Sequence, residues 1–378
     1  MQASPDQAPG KRLRVAQLVP AMDSGGVERG TLEVARALVK EGHDAIVLSA
    51  GGKMVSDLEA IGATHMTCPI GRKSLASLRW VRALRKWMVD ANVDIVHARS
   101  RVPAWLCYLA WRRMNPTTRP RFVTTVHGLY SINRYSAIMT RGERVVAVSN
   151  AVYDYIVDNY RVDPERIDII PRGVDRSEFP YGYEPTPTWQ AAWNTSYPLL
   201  RERFVITLPG RLTRLKGHFD FLEIIGRLHA QGIPVQGLVV GAERKAGDAY
   251  AASVYAKASE QDLPVIFTGV RSDMREIYSV SDVVVSLSTS PESFGRTVLE
   301  ALSVSTPVVG YAHGGVSEIL ATVFPAGAVA PGDIDGATER LAAFYKDRPV
   351  PSADHPFTLA AMLDKTLALY QTVRTQQP

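Results

Sequence analysis

Residues 289–301 read Thr-Ser-Pro-Glu-Ser-Phe-Gly-Arg-Thr-Val-Leu-Glu-Ala. The apolar, β-branched run Val283–Leu287 before it is short enough for a buried parallel strand. After it, Val298–Val304 has helical spacing and is stopped by Pro307. A strand therefore ends, a loop turns and a helix opens near Phe294. Glu292 stands in the loop, and Glu300 about two turns inside the helix. The first amides of such a helix, around Gly295–Thr297, have no partner within it and face whatever lies in front. Gly295 carries no Cβ, so a ligand can approach the backbone there. The stretch reads as an anion site flanked by two carboxylates. Carboxylates only accept hydrogen bonds, so beside phosphates their natural partners are sugar hydroxyls. Taken alone, two such glutamates also fit a helix dipole and a solvated face. The rest of the chain has to decide.

Working outward, strands and helices alternate on both sides. Leu13–Val19 is a short apolar strand, the turn Met22–Arg29 opens a helix to about Glu41, and Ala45–Ser49 is a second strand. This start implies a parallel sheet with right-handed crossovers. Further strands are expected at Ile95–Ala98, Phe122–Val126, Arg144–Val148 and Ile167–Ile170, with helices at Ser74–Asp90, Pro103–Met114 and Ala151–Tyr160. The stretch 179–200 is rich in Pro, Tyr, Trp and Thr, lacks periodicity and reads as a linker. A second alternation follows: strand Phe204–Leu208, helix Leu215–Gln231, strand Val235–Val240, helix Ala249–Glu260, strand Val265–Thr268, then Val283–Leu287, helix Phe294–Val304 and strand Pro307–Gly310. The expected architecture is α/β, with two Rossmann-like doubly wound domains at 1–178 and 201–350. The last stretch, 351–378, is expected to hold a helix, over Thr358–Thr375, that crosses back to the first domain.

Composition fits this. The 378 residues are 46% hydrophobic and 21% charged, as in a globular protein of two domains. Residues 1–12 are polar and read as disordered, the run Val15–Ala21 is too broken for a signal peptide, and no run approaches the ~20 apolar residues of a membrane span. Cys68 and Cys107 lack metal or redox spacing and read as reduced core residues of a cytoplasmic protein. Residues 1–178 carry a net +8 and the remainder −3, so the two halves are expected to meet different partners. Nothing points to nucleic acid.

In doubly wound sheets ligands sit beyond the carboxyl ends of strands, and unusual residues gather there. Gly210-Arg211-Leu212-Thr213-Arg214-Leu215-Lys216-Gly217 follows one strand and places two cations five apart, both able to face an anion. His127-Gly128 follows another strand. His313-Gly314-Gly315-Val316-Ser317-Glu318 and Gly269-Val270-Arg271 follow two more, and Gly25-Gly26 follows the first. In isolation each is also an ordinary turn. The dinucleotide pattern Gly-x-Gly-x-x-Gly is absent at the first turn.

Together, in this order, these stretches resemble the retaining GT-B glycosyltransferases of family 4, the group 1 transferases. The resemblance covers nearly the whole chain and includes Ile170-Pro171-Arg172-Gly173-Val174-Asp175 before the linker. It implies two domains facing each other across a cleft, the first binding a glycan or glycolipid acceptor and the second a nucleotide-diphosphate sugar, with UDP the commonest nucleotide. By resemblance, Arg211 and Lys216 hold the donor diphosphate at Gly210, Glu300 accepts from ribose hydroxyls, and Glu292 contacts the donor sugar. The amides at Phe294, Gly295, Arg296 and Thr297 take its hydroxyls or phosphate. His127 lies beside the transferred sugar, Gly25 and Gly26 close over the diphosphate, and Val270 lies beside the base. Arg296 stands where better-known members are often apolar, so the sugar is not carried over. No metal-ligand cluster and no cofactor is expected; side-chain cations and a helix N-terminus would stabilise the leaving charge. The variant of the motif looks like lipopolysaccharide-core or envelope polysaccharide enzymes. The rival readings are a nucleotide-sugar epimerase of similar two-domain build and a non-catalytic nucleotide-sugar-binding scaffold.

Residues 72–87, Arg-Lys-Ser-Leu-Ala-Ser-Leu-Arg-Trp-Val-Arg-Ala-Leu-Arg-Lys-Trp, hold six cations and no acid. Wound as a helix, Leu78, Val81, Leu84 and Met88 fall on one side, while Arg72, Arg79, Arg82 and Lys86 fall on the other. The expectation is a peripheral contact with an anionic membrane.

Overall fold

The computed structural model of the chain describes residues 12–23, 25–71, 75–241 and 248–375. It divides into two units, one holding the chain up to Ile170 and again from Met362, the other Pro171–Ala361. Each is built on one wholly parallel sheet.

The strands of the first unit are β1 Arg14–Leu18, β2 Asp44–Ser49, β3 Thr64–Thr67, β4 Ile95–Ala98, β5 Arg121–Val126, β6 Arg144–Ala147 and β7 Ile167–Ile169. They lie in the order β3-β2-β1-β4-β5-β6-β7. Helices α1 Gly26–Lys40, α2 Val55–Ala60, α3 Arg79–Asp90, α4 Arg101–Trp111 and α5 Asn150–Tyr160 fill the crossovers. The central strands are largely apolar because both faces are covered: Val15, Ala16, Val47, Leu48, Val96 and Val123 are fully buried. Strand order reverses at β1, which pairs with β2 on one side and β4 on the other, Leu18 opposite both Leu48 and Ala98. Cys68 and Cys107 are free and buried, and burial pushes their thiols up to about 11 and about 12, so neither is a thiolate at neutral pH.

The second unit opens with helix α6 Pro187–Ser196 and runs through β8 Phe204–Pro209, α7 His218–Ala230, β9 Val235–Val240, α8 Ala249–Glu260, β10 Val265–Gly269, α9 Met274–Ser279, β11 Val283–Ser286, α10 Arg296–Ser303, β12 Val308–Tyr311, α11 Gly315–Val323, β13 Ala328–Val329 and α12 Ile334–Lys346. Its sheet order, β10-β9-β8-β11-β12-β13, reverses at β8 between β9 and β11. The final helix, α13 Leu359–Thr375, belongs from Met362 on to the first unit. There Tyr370, fully buried, bonds His97 Nδ1 on β4 at 2.7 Å, and the other nitrogen of His97 meets Thr125 Oγ1 on β5 at 2.6 Å.

Three expectations need correction. The stretch 179–200 is not a linker: α6 lies within it, capped by Thr186 and anchored by Trp193, 5% exposed. Its aromatics stack in series, Trp189 on Trp193 at 4.9 Å and Trp193 on Tyr197 at 4.4 Å. Spaced four apart, they make a helix face that an aliphatic pattern does not reveal. The second unit accordingly begins near Pro171 rather than at 201. The helix expected from Leu215 begins at His218 instead, because Gly217 takes φ +71 after the short turn Arg214–Lys216. The strand β3 was not anticipated: Thr-His-Met-Thr at a sheet edge has no apolar run to find.

Candidate functional site

Reversal of strand order at β8 places the loops after β8 and β11 side by side, the position where doubly wound sheets take ligands. Backbone bonds tie the two loops: the Thr289 N–H donates to Leu215 O at 2.9 Å. Across this seam Lys216 Nζ donates to Glu292 Oε1 at 2.7 Å, and the Ser288 hydroxyl donates to the same oxygen. His313, after β12, contacts the Ser288 carbonyl through Nε2 at 2.7 Å. A carbonyl only accepts, so Nε2 carries the proton. Burial pushes the Glu292 carboxyl up, but the charge of Lys216, its hydrogen bond, that of Ser288 and the nearby His313 outweigh it and hold the group below its ordinary value. Glu292 is therefore ionised at neutral pH. The ammonium of Lys216 has three donors, of which this contact uses one.

The loop carrying Glu292 is held from the far side by the turn into α11. The Gly315 N–H donates to Glu292 O at 2.8 Å. A Cβ on Gly315 would lie 2.3 Å from Phe294 Cα, so only glycine lets the two backbones meet. Gly295 is the N-cap of α10 at φ +99, where a Cβ would meet Val316 Cγ2 at 2.8 Å. No side chain caps this helix, so the amides of Arg296 and Thr297 at its start have no capping side chain. The Phe294 ring itself is core, 6% exposed and edge-on to Phe357 at 5.9 Å, which leaves only its backbone for a ligand.

Glu300 is more enclosed than a ribose-binding carboxylate was expected to be. It is 7% exposed, takes Arg296 Nε at 2.8 Å on one oxygen and Tyr278 Oη at 3.3 Å on the other. Arg296 reaches it because the two stand four apart on α10. Tyr278 comes from α9, which the sequence did not reveal as a helix. Arg211 is the reverse case: it is exposed after Gly210 (φ +144), with no hydrogen-bond or ion-pair partner among the described residues. His218, buried directly after Gly217, has its imidazole pushed down to about 4, by burial first and by the charge of Lys216, against a hydrogen bond at Thr213. It adds no charge to the loop at neutral pH.

Val270 is 70% exposed on the turn after β10. The turn is braced by α6. Arg271 pairs with Asp273 at 2.6 Å, Trp189 Nε1 donates to the same carboxylate at 2.8 Å, and Arg271 lies 5.6 Å from the Trp193 ring centre.

Gly25, Gly26 and His127 belong to the first unit, at the ends of β1 and β5. The His127 N–H donates to Tyr130 Oη at 3.3 Å. A Cβ on Gly26 would meet nothing within 4 Å, and its φ is not positive, so the fold itself does not ask for glycine there. Gly26→Ala is expected to raise stability by about 0.5–1 kcal/mol, since glycine in a helix is that much less favourable than alanine. If the loop closes over a diphosphate, the same change lowers kcat/KM. Denaturant unfolding and donor kinetics together check this, and unchanged kinetics remove Gly26 from the site.

Of the basic stretch, residues 72–74 lie outside the described residues, so Arg72 is not placed. On α3, Val81, Leu84 and Met88 are buried in the core of the first unit, and Trp80 and Trp87 pack partly against it. The apolar side is thus consumed by the fold, except that Leu78 is 49% exposed. Arg79, Arg82, Arg85 and Lys86 stay on the surface, Lys86 beside Asp90 at 2.5 Å. Among the described residues no helix is long and apolar enough to cross a membrane. No group of three or more His, Cys, Asp or Glu among them could hold a metal ion.

Residues 24–178 match the family described as Glycosyltransferase Family 4, and residues 192–356 match Glycosyl transferases group 1. A D-inositol 3-phosphate glycosyltransferase of Paenarthrobacter aurescens is 32% identical over 190 residues, 48% of this chain and 44% of that protein. The chain thus spans less than half the length of this relative. A crystal structure described as a glycosyltransferase from Rickettsia africae superposes with a TM-score of 0.81 at 29% identity, covering 97% of this chain and all of that one. HepE of Anabaena, described in complex with UDP-glucose, superposes with a TM-score of 0.73 at 18% identity over 97% of this chain and 98% of its own, which speaks to the fold alone. The fold is that of the GT-B glycosyltransferases.

Proposed function

We propose that the chain, whose two halves match Glycosyltransferase Family 4 and Glycosyl transferases group 1, moves a sugar from a nucleotide-diphosphate sugar to a glycan or glycolipid acceptor. The observation that carries this is the seam between β8 and β11, where Lys216 and Glu292 meet beside the uncapped start of α10. The C1–O bond to the diphosphate breaks, an acceptor hydroxyl oxygen bonds to C1, and its proton leaves with the phosphate oxygens. The departing negative charge is met by Lys216, Arg211 and helix amides; the fold sets the positions of Lys216 and the amides before the reaction. Enzymes lower barriers by ~8–23 kcal/mol, more than two cations supply, so holding the reactants in place contributes heavily. Retention at the anomeric carbon goes with the acceptor attacking on the face the phosphate leaves, where a phosphate oxygen takes its proton; Glu292, whose Oε1 already accepts from Lys216 and Ser288, is not proposed as a covalent nucleophile.

UDP-sugars are the first donors to test, since HepE is described with one. The Pro-Glu-Ser-Phe-Gly-Arg-Thr variant supports an acceptor of envelope polysaccharide or lipopolysaccharide synthesis. The D-inositol 3-phosphate relative supports a phosphorylated polyol as a second acceptor class. No resident cofactor is proposed, and the protein would work in the cytoplasm, with its basic first-unit surface toward anionic membrane. The test is a panel of radiolabelled nucleotide sugars offered with mixed glycolipid and polyol acceptors, in excess EDTA. Label is expected on an acceptor with the donor's anomeric configuration kept. An altered free donor indicates an epimerase, and intact donor with unlabelled acceptors a binding scaffold. Loss of activity in EDTA that Mn²⁺ or Mg²⁺ restores overturns the side-chain account of leaving-group stabilisation.

A further inference from the structure

The first unit has its own reversal of strand order, between β1 and β4, and the chain leaves β4 as Arg99-Ser100-Arg101. The two arginines have different fates. Arg99 is 4% exposed and donates through Nη1 to Gln17 Oε1 on β1 at 2.5 Å. Gln17 in turn donates to Thr31 O on α1 at 3.0 Å. Arg99 is thereby spent inside the unit. Arg101, the first residue of α4, is half-buried and turns toward the loop after β5. Its guanidinium carbon lies 4.7 Å from the ring centre of Tyr130 and 5.3 Å from that of Tyr135, and Nη1 donates to Ser136 Oγ at 3.3 Å. Trp105, one turn on, donates to Tyr135 O at 3.0 Å and fixes that ring's backbone. Tyr130 is also the residue whose hydroxyl receives the His127 amide.

What is missing around Arg101 is a counter-charge. Arg121, Arg144, Arg271, Arg275 and Arg296 are similarly shielded, and each faces a carboxylate within 3.3 Å. Arg101 has none within ion-pair distance among the described residues; its one hydrogen-bond partner is a neutral hydroxyl. Two aromatic rings lie within cation–π distance of the guanidinium, while most of its five N–H donors keep no protein acceptor among the described residues. A cation so held, at a strand-order reversal and next to the loop bearing His127, is set up to receive a planar pair of oxygens from outside the protein.

We infer that Arg101, clamped by Tyr130 and Tyr135, binds an oxyanion of the acceptor, a phosphoryl group, and so selects phosphorylated acceptors. This rests on the glycosyltransferase reading and narrows its acceptor class. The phosphoryl group can belong to a soluble phosphorylated polyol or to a lipid headgroup. The chemistry at Arg101 is the same for both.

The test reads Arg101 directly, through the arginine Nε–H resonance that disappears from the NMR spectrum of Arg101→Gln. Inorganic phosphate and D-inositol 3-phosphate are expected to shift it saturably, and unphosphorylated inositol to leave it in place. Arg101→Gln is expected to weaken inositol phosphate binding tenfold or more with UDP binding unchanged, and an unaltered pattern of the other first-unit NMR resonances shows that this unit of the variant is folded. Arg101→Lys keeps charge but not the stacked fork, and is expected to fall between the two. Phosphatidylcholine vesicles with and without phosphatidic acid separate the sources: a shift only with phosphatidic acid assigns a lipid headgroup, and a shift only with the soluble ester assigns a soluble acceptor. No shift with any phosphate probe, or undiminished binding by Arg101→Gln, overturns the inference. Failure of the donor panel with the phosphate response intact would instead remove the transferase reading.

Discussion

Lys216→Ala is expected to cut turnover by about a hundredfold or more, the scale for losing one preorganised contact to a developing charge, and to destabilise the second unit as well. The second effect follows from Glu292. In the wild type its carboxylate shares a largely shielded site with Lys216, at 2.7 Å, with side-chain exposures of 22% and 28%. Removing the lysine leaves a mostly buried charge with the Ser288 hydroxyl and the nearby His313 as its remaining support. A hydrogen bond to a charged group contributes about 1.5–3 kcal/mol net, and a loss of about 1–3 kcal/mol is expected in urea unfolding. The sign with pH is fixed by the direction of the shift. The folded Glu292 carboxyl lies below its ordinary 4.5, so its contribution is fully present above that value and fades as pH falls through the lowered one. Without Lys216 the burial effect stands less opposed, the folded value rises, and the stability this group loses in acid shrinks. Stability curves for the two proteins between about pH 3 and 7 should therefore converge toward the acid end. A variant that keeps wild-type turnover takes Lys216 out of leaving-group stabilisation, and a stability gap that widens in acid shows that the ion pair with Glu292 does not hold the loop.

This pair also shows what the sequence could carry. The strand, loop and helix around 289–301 were legible because a buried parallel strand writes itself as an apolar run and its exit as a break in that run. The same holds for β8 with Gly210 and Lys216, so both halves of the seam could be named. That Lys216 and Glu292, 76 positions apart, touch each other was not legible. It follows from β8 and β11 being neighbours, a fact of sheet order. Ser288 and His313 joined the site for the same reason. Tyr278 on Glu300 depends on how α9 packs, and no local pattern foretells it. The i,i+4 spacing of Arg296 and Glu300 is the sequence signal for their pairing. Helix α6 carries no aliphatic periodicity, so its face is written in aromatic residues instead. Trp189, Trp193 and Tyr197 are spaced four apart, and the exposed turn at Val270 is braced by that helix. On α3 the amphipathic pattern is plain in the sequence, but it belongs to the core, since Val81, Leu84 and Met88 are buried. An apolar stripe says that something covers it, without saying whether protein or lipid does.

Arg211→Ala is expected to lose about a hundredfold in turnover, as Lys216→Ala does, with stability unchanged within about 0.5 kcal/mol. The difference lies in what each cation touches before substrate arrives. Arg211 is exposed and has no partner among the described residues, so the folded state has nothing to lose. Its cost to turnover arises only when a diphosphate is present, because a guanidinium can then donate two parallel bonds to phosphate oxygens. Arg211→Lys keeps the charge without the fork and should recover part of the activity. The loss should also soften as salt rises, since an exposed charge acts through solvent with a screening length of ~8 Å at 0.15 M. Donor kinetics at subsaturating nucleotide sugar, with unfolding measured on the same preparations, test both halves. Near-wild-type kcat/KM in Arg211→Ala sinks the assignment. So does a loss of activity that tracks a loss of stability, because the arginine would then be holding the fold and not the leaving group.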